Sequence, residues 1–464
     1  MLKLFNTKNK KKEYFSPIQT NKINIYVCGV TVYDACHIGH GRTFVVFDMI
    51  IRYFRYLGYN VNYIRNITDI DDKIILKAFE KDLKIQDFTK KIIKQMHLDF
   101  NFLNILPPNS EPRVTNYIDK IIEIIEVLLK KKYAYISYSN FDILFSIKKD
   151  VNYGILSNQY LDTFKKSFIF NTNKNNFFDF VLWKQSKLNE PGWLSPWGFG
   201  RPGWHIECTA LNNFFFKNHI DIHGGGVDLI FPHHENELSQ SMAYNKKYII
   251  KYWMHSGMLI LKNKKMSKSL KNTIYLKKVF KKYHGETLRY FFLLTHYRKP
   301  IFYNKENIKK SFFLLKKLYK VLNIKRNINI KKKCISSVYL EKFINCMNDD
   351  FNTPKVLKIL TNLSKKINIL KKKYTEQKYV LITTLKYLGN LLGLFFEHPH
   401  DFLNYNIKKS DLYYKKINYL INKRNIARKK KNWLESDFLR DKLIKMGVNI
   451  QDSFDSSKWY VDNT

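Results

Sequence analysis

Residues 23–68, INIYVCGVTVYDACHIGHGRTFVVFDMIIRYFRYLGYNVNYIRNIT, decide the fold of this chain. Apolar residues at alternate positions from Ile23 to Val30 read as a strand, and Asn60 to Thr68 reads as another. Between them lie the turn-rich GVTVYDACHIGHG and an apolar-rich helix from Arg42 to about Leu57, stopped by Gly58. DIDDKIILKAF (69–79) then reads as a second helix. Strand, loop, helix and strand in this order make a parallel βαβ unit with a right-handed crossover. The grammar recurs: His219 to His223 is a short strand, GGGVD a loop, and PHHENELSQSMAY a helix opened by Pro232. The fold class is α/β, a Rossmann-type parallel sheet split into two halves.

Outward from that frame, residues 1–115 and 200–250 form the parallel-sheet domain. Residues 116–199 are an insertion with a helix (Tyr117 to Lys131), strands and the stretch EPGWLSPWGFGRPGW. A connector follows at 251–305. In 306–400, Leu, Ile and Phe recur at three- and four-residue spacing between lysines, which predicts a helical bundle. Residues 401–464 read as a small mixed domain, a strongly basic helix followed by a β-containing tail. No internal repeat interrupts the order.

The 464 residues are 45% hydrophobic and 26% charged, enough for several cores and against disorder as the dominant state. No charge-free apolar run approaches the ~18 residues of a membrane span. MLKLFNTKNKKKEYF lacks the apolar core of a signal peptide, so a cytoplasmic location is expected. Five cysteines, at 28, 36, 208, 334 and 346, are too sparse for a disulfide framework and fit a reducing compartment. The formal charge of +42 favours a polyanionic partner. Yet only 12 of the 81 basic residues are arginines, and Asn, Ile, Tyr and Phe are abundant. An AT-rich coding sequence yields that mixture by drift, so the charge is a weak pointer.

Two short elements carry chemistry. His37-Ile38-Gly39-His40 stands between a strand and a helix N-terminus, where backbone N–H groups and the helix dipole favour an anion. Two imidazoles around a glycine add donors for phosphate oxygens. Alone, this is as readily a pair of loop histidines. Lys264-Lys265-Met266-Ser267-Lys268-Ser269 follows the apolar run MLILKN, and its lysines suit a departing pyrophosphate. Alone, it is more lysine in a lysine-rich chain. In this order and together, the two reinforce each other.

HIGH before KMSKS resembles the signature pair of class I aminoacyl-tRNA synthetases. YVCGVTVYDACHIGHGRTFVVFD, RNITDIDDKI, GRPGWHIEC, DIHGGGVDLIFPHHENELSQS, MSKSLKN and DDFNTP resemble the cysteinyl-tRNA synthetases, in order across nearly the whole chain. The resemblance implies activation of cysteine with ATP and Mg²⁺, transfer to tRNA(Cys), and action as a monomer. Two thiolates, an imidazole and a carboxylate form a zinc-compatible set in Cys28, Cys208, His233 and Glu237, the last two at i and i+4. Buried cysteines are the plainer alternative; the resemblance assigns these four to one zinc ion in the amino-acid pocket. His234, Cys36, Cys334 and Cys346 match no ligand position and are expected to be structural.

The resemblance also implies that Trp204 and His223 belong to the pocket, and that Gly29, Thr31 and Thr68 flank the amino acid. Gly226-Val227-Asp228 resembles the loop that contacts the nucleoside. His37, Gly39 and His40 serve the phosphates, Lys268 and Lys265 the leaving pyrophosphate. In INKRNIARKKKNW (421–433), Arg424 and Arg428 lie one turn apart ahead of Trp433, suiting backbone contact and base stacking. With Arg440 they are the expected tRNA contacts, in a segment that resembles the family's anticodon-binding domain. Departures from the pattern are Ser456 for glycine, Asn175 and Phe177 for Arg and Pro, and Thr209 for Ser. A ligase with a small amine acceptor would share the catalytic part without needing the basic tail. A non-catalytic zinc- and RNA-binding protein would not need both phosphate loops.

Overall fold

Strand β3 (Lys22–Thr31) is apolar on both faces, with Ile23, Ile25, Tyr26 and Val27 fully buried, as an interior strand of a parallel sheet requires. The N-terminal hairpin β1 (Lys3–Asn6) and β2 (Lys11–Tyr14) precedes it. Helix α1 (Ile38–Tyr56) returns the chain to β4 (Asn60–Thr68), which pairs in parallel with β3. Helices α2 (Asp72–Phe79), α3 (Ile85–Phe102) and α4 (Ile118–Lys130) follow. Residues 134–202 hold β5 (Ala134–Ile136), β6 (Ile143–Phe145), β7 (Phe180–Gln185), β8 (Trp193–Ser195) and β9 (Gly198–Pro202), an antiparallel sheet in the order β5-β6-β7-β9-β8. Then come α5 (Ile206–Phe216), β10 (Ile220–Gly226), α6 (Glu235–Asn245) and β11 (Ile250–Ser256). The parallel sheet runs β11-β10-β3-β4, so both βαβ halves share one layer. The computed structural model describes residues 1–159, 178–188, 190–217, 219–261, 264–266, 272–323, 335–370, 375–405, 411–452 and 457–461.

Three local readings change. Helix α1 begins at Ile38, four residues ahead of the expected start, because the two histidines cap it reciprocally. His40 N–H donates to His37 Nδ1 at 3.2 Å, and His37 N–H to His40 Nδ1 at 3.4 Å, the part Ser and Glu play in a capping box. Strand β10 continues through the glycines instead of ending at His223. A Cβ on Gly224 would lie 2.2 Å from the Phe47 ring, so the glycine lets α1 lie close on the sheet. The regular helix α6 starts at Glu235, since Phe231 is extended and a wide turn spans Ile230–His234.

The chain forms two compact units. The first comprises Met1–Leu276, Thr295–Phe302 and Met347–Asn352. Its core joins the parallel sheet to the insertion through Tyr26, Ile121, Leu182, Trp183, Ile206 and Trp253. Buried Glu235 accepts backbone N–H bonds from Gly154, Leu156 and Ser157, which pins the insertion to the first turn of α6. Asp350 accepts from Phe5 N, Tyr297 Oη and Arg298, so the DDFN stretch closes on the N-terminal hairpin.

The second unit comprises Lys277–Leu294, Tyr303–Cys346 and Thr353–Thr464. Helices 305–322, 353–369 and 375–391 bury Leu315, Tyr319, Leu360, Leu385 and Leu388. The tail holds two helices, at 411–429 and 433–445, and a hairpin of 448–452 with 457–461, around Ile417, Leu439, Leu443 and Trp459. Among the described residues, no helix is long and apolar enough to cross a membrane.

Candidate active site

The strands of a parallel sheet all deliver their C-terminal residues to one edge, where crossover loops leave a crevice. Here an open cleft of about 310 Å³ lies at that edge. Cys28, Gly29 and Thr31 come from β3, His37, Gly39 and His40 from the start of α1, Gly226 and Asp228 from the end of β10. Trp204 and Met266 complete its wall. The His37 and His40 rings stack at 3.6 Å with 13° between planes. Because both Nδ1 atoms accept backbone N–H groups, a neutral ring carries its proton on Nε2. The helix N-terminus adds its own positive end.

Behind the cleft sits a fully buried cluster of donors. Cys28 Sγ lies 3.7 Å from Cys208 Sγ and 3.2 Å from Glu237 Oε1. His233 Nε2 is 2.9 Å from Glu237 Oε1 and 3.7 Å from Cys208 Sγ. The four donors all fall within 4.8 Å of one another. A tetrahedron with bonds of about 2.0–2.3 Å has edges of roughly 3.3–3.8 Å, the scale of these separations. Burial pushes the Glu237 carboxyl up to about 8, and its Oε2 has no hydrogen-bond partner. Burial pushes the Cys28 thiol up, whereas the hydrogen bond from Cys28 holds Cys208 down. A carboxylate and two sulfurs with no cation among them are poorly placed in a dry pocket, and a metal ion relieves all three. The group is able to hold one.

Not every residue expected at the site stands in the cleft. His223 is fully buried within the cluster, its Nε2 3.5 Å from Cys28 Sγ and 3.3 Å from Glu237 Oε2. Thr68 is buried and donates to Glu207 Oε2 at 2.6 Å. Trp204 keeps 41% of its surface exposed and packs on His233 with ring centroids 4.3 Å apart. Gly29 lies where the pairing of β3 with β4 shifts register, and a Cβ there would fall 1.5 Å from Asn66 O. Lys265 lies in the short strand Lys264–Lys265, and Lys268 lies outside the described residues, as do Ser456, Asn175, Phe177 and Cys334.

The sequence reading missed His255 and the place of His234. His234 Nε2 points at Cys28 Sγ from 3.2 Å, and its Nδ1 meets His255 Nε2 at 2.7 Å. His255 is the penultimate residue of β11, opposite Gly225, so its position near the carboxyl end of a strand was the available signal. In the second unit, Arg424, expected as a tRNA contact, is buried. It clamps Asp452 with two bonds of 2.6 and 2.8 Å and donates to Ser457 Oγ at 2.9 Å. Arg428 joins the same carboxylate at 3.1 Å, while Trp433 and Arg440 are exposed.

Comparison with known proteins agrees in extent with these features. The model of the class I (C) tRNA synthetase catalytic domain matches residues 14–312, and that of the DALR domain matches 342–397. The cysteine–tRNA ligase of Buchnera aphidicola subsp. Acyrthosiphon pisum (strain Tuc7) is 52% identical over 468 residues, covering 99% of both chains. That of Wigglesworthia glossinidia brevipalpis is 49% identical, covering 99% of this chain and 100% of its own. Among solved structures, Mycobacterium tuberculosis methionyl-tRNA synthetase in complex with methionyl-adenylate superposes with a TM-score of 0.57 at 12% identity. That match covers 82% of this chain and 91% of the other, and shares the fold.

Proposed function

The chain belongs to the cysteine–tRNA ligase family of class I tRNA synthetases, and on that footing we propose how its own residues activate cysteine with ATP and pass it to tRNA(Cys). Cys28, Cys208, His233 and Glu237 hold one zinc ion; the support is the donor chemistry and the stranded Glu237 oxygen. Bound there, zinc supplies a soft Lewis acid that favours a thiolate over a serine hydroxyl. Selection then occurs at binding, where an apolar pocket alone would separate near isosteres poorly. Trp204 covers the side chain against His233, His223 backs it, and Gly29, Thr31 and Thr68 border the amino acid.

ATP occupies the cleft, with Gly39 against the phosphates and Gly226 and Asp228 toward the nucleoside. The cysteine carboxylate attacks the α-phosphorus; its O–P bond forms as the bond to pyrophosphate breaks. His37, His40 and the α1 N-terminus meet the charge that develops on the phosphate oxygens. Lys265 and Lys268 neutralise the departing pyrophosphate, and Mg²⁺ arrives with the nucleotide. The terminal ribose hydroxyl of the tRNA then attacks the acyl carbon and AMP leaves. Arg428, Trp433 and Arg440 serve the tRNA on a domain spanning 401–464, with Arg424 bracing it from within. The enzyme acts as a cytoplasmic monomer, in keeping with its sparse cysteines.

The observation that carries this reading is Cys28, at once a wall of the phosphate cleft and a member of the buried donor set. ATP–pyrophosphate exchange measured with each of the twenty amino acids tests it. Exchange with cysteine alone is expected, with zinc copurifying. Exchange driven by serine as well as by cysteine would overturn the proposed selection.

A further inference from the structure

The buried cluster contains more donors than one tetrahedral ion can use. Besides the four assigned above, the Nε2 atoms of His223 and His234 face the same centre, 3.5 and 3.2 Å from Cys28 Sγ. Cys28, His223, His234 and Glu237 again have one donor atom each within 4.8 Å of all the others, and all four residues are buried. Glu237 Oε2, which makes no hydrogen bond, lies on this side, 3.3 Å from His223 Nε2.

We propose that the cluster offers a metal ion two overlapping seats, the second built from Cys28, His223, His234 and Glu237. This rests on the metal reading given above. The seats share Cys28 and Glu237, so they accept one ion between them. The first presents two sulfurs, one nitrogen and one oxygen; the second presents one sulfur, two nitrogens and one oxygen.

The outer side of each imidazole in the second seat is already engaged, as it is for metal-bound histidines generally. His234 Nδ1 meets His255 Nε2 at 2.7 Å, and His255 Nδ1 meets Thr7 Oγ1 at 2.7 Å. With an ion seated, Nδ1–H of His234 donates to His255, whose own Nδ1–H donates to the Thr7 hydroxyl. That leaves the His234 Nε2 lone pair directed inward. Without one, the threonine hydroxyl can reverse the chain and His234 Nε2–H donates to Cys28. On the other flank, Asn212 Nδ2 stands 3.4 Å from His223 Nδ1, and the amide oxygen makes no hydrogen bond. An amide rotated to present that oxygen accepts Nδ1–H and holds the ring in the ligating tautomer.

Charge separates the seats. Two thiolates and a carboxylate give a dication a net charge of −1; one thiolate and a carboxylate leave it neutral. A dry pocket tolerates the neutral set better. An arriving substrate thiolate raises the first to −2 but the second only to −1. The imidazole-rich seat therefore accepts the substrate thiolate, its second sulfur, at lower electrostatic cost.

Cobalt(II) loading of the full-length protein tests this, read by equilibrium dialysis and by the visible d–d and sulfur-to-cobalt absorption. The wild type and Cys208→Ala are each expected to bind one Co²⁺ per chain, the variant with weaker sulfur-to-cobalt absorption. In the Cys208→Ala background, a further His233→Ala should leave cobalt bound, whereas His234→Ala should release it. His223→Asn in that background supplies a second removal of the same seat, and far-UV circular dichroism checks that each variant is folded. If the wild type binds no cobalt, the metal reading itself falls and the second seat with it. If the wild type binds cobalt and Cys208→Ala binds none, the second seat alone is overturned. It is overturned equally if cobalt in Cys208→Ala depends on His233 and not on His234.

Discussion

Cys208 and Gly29 both neighbour Cys28, one through space and one along the chain, yet they fail differently when replaced. Cys208→Ser, which removes a soft ligand opposite Cys28, should raise the KM for cysteine in ATP–pyrophosphate exchange and leave the KM for ATP near its starting value. The loss should exceed the ~10–100-fold typical of disturbing an outer-shell partner. Zinc affinity measured on the same sample should fall with it, an ion remaining bound through Cys28, His223, His234 and Glu237. An unchanged cysteine KM would show that Cys208 is only a packing residue. Gly29→Ala acts through space instead. The added methyl would meet the Asn66 carbonyl oxygen, so β3 and β4 must part where Gly29 N–H donates to Asn66 Oδ1. A loss of about 1–3 kcal/mol or more is expected, as for other overpacked positions. Thermal unfolding measures it, and a melting temperature equal to the wild type would contradict it.

At the scale of the element, the basic helix of the tail divides into a brace and a face. Asp452 is held at about 2 by the hydrogen bonds of Arg424, below the usual carboxylate range. A depressed carboxylate stabilises the folded state above about pH 4, and that contribution is lost as pH falls through about 2. Asp452→Asn should therefore flatten the acid limb of the unfolding curve over that window. Arg424→Ala should cost about 1.5–3 kcal/mol, the scale of hydrogen bonds to a charged group. Arg440→Ala should leave the melting temperature alone and raise the KM for tRNA. If instead Arg424→Ala melts like the wild type, the clamp contributes nothing to the tail. The sequence could not reveal this division, because arginines spaced one turn apart in a lysine-rich helix look the same whether they face water or a buried aspartate. The parallel frame was legible because two apolar runs, Ile23–Val30 and Asn60–Thr68, flank one helix, although both strands prove buried almost continuously and not at alternate positions. The true start of α1 was hidden because histidine is not among the residues that ordinarily cap a helix. His255 and its meeting with His234 were hidden because they depend on the register of β10 against β11, which no local pattern encodes.

At the scale of the whole molecule, activation and tRNA recognition should separate. A chain ended near Pro399 would lose Phe402, which stacks on Tyr319 at 4.0 Å within the helical core. Ending it after Tyr405 keeps that contact. This shortened protein should still form cysteinyl-adenylate but charge tRNA with a raised KM and a shallower salt dependence, since fewer counterions are displaced. Charging equal to that of the intact protein would remove the tail from the reading. The sheet order has a consequence for the making of the protein. Strand β3 sits between β4 and β10, and the ribosome supplies those partners at very different times. At ~5–20 residues per second, the stretch from Thr68 to Ile220 takes on the order of 10–30 s to emerge. Throughout that interval the far edge of β3 has no neighbour, and Cys28 waits for the histidines and Glu237 of its cluster, with Cys208 emerging only near the end. The insertion is synthesised during the same interval, so nascent chains paused before residue 220 should be the ones that chaperones hold and proteases cut.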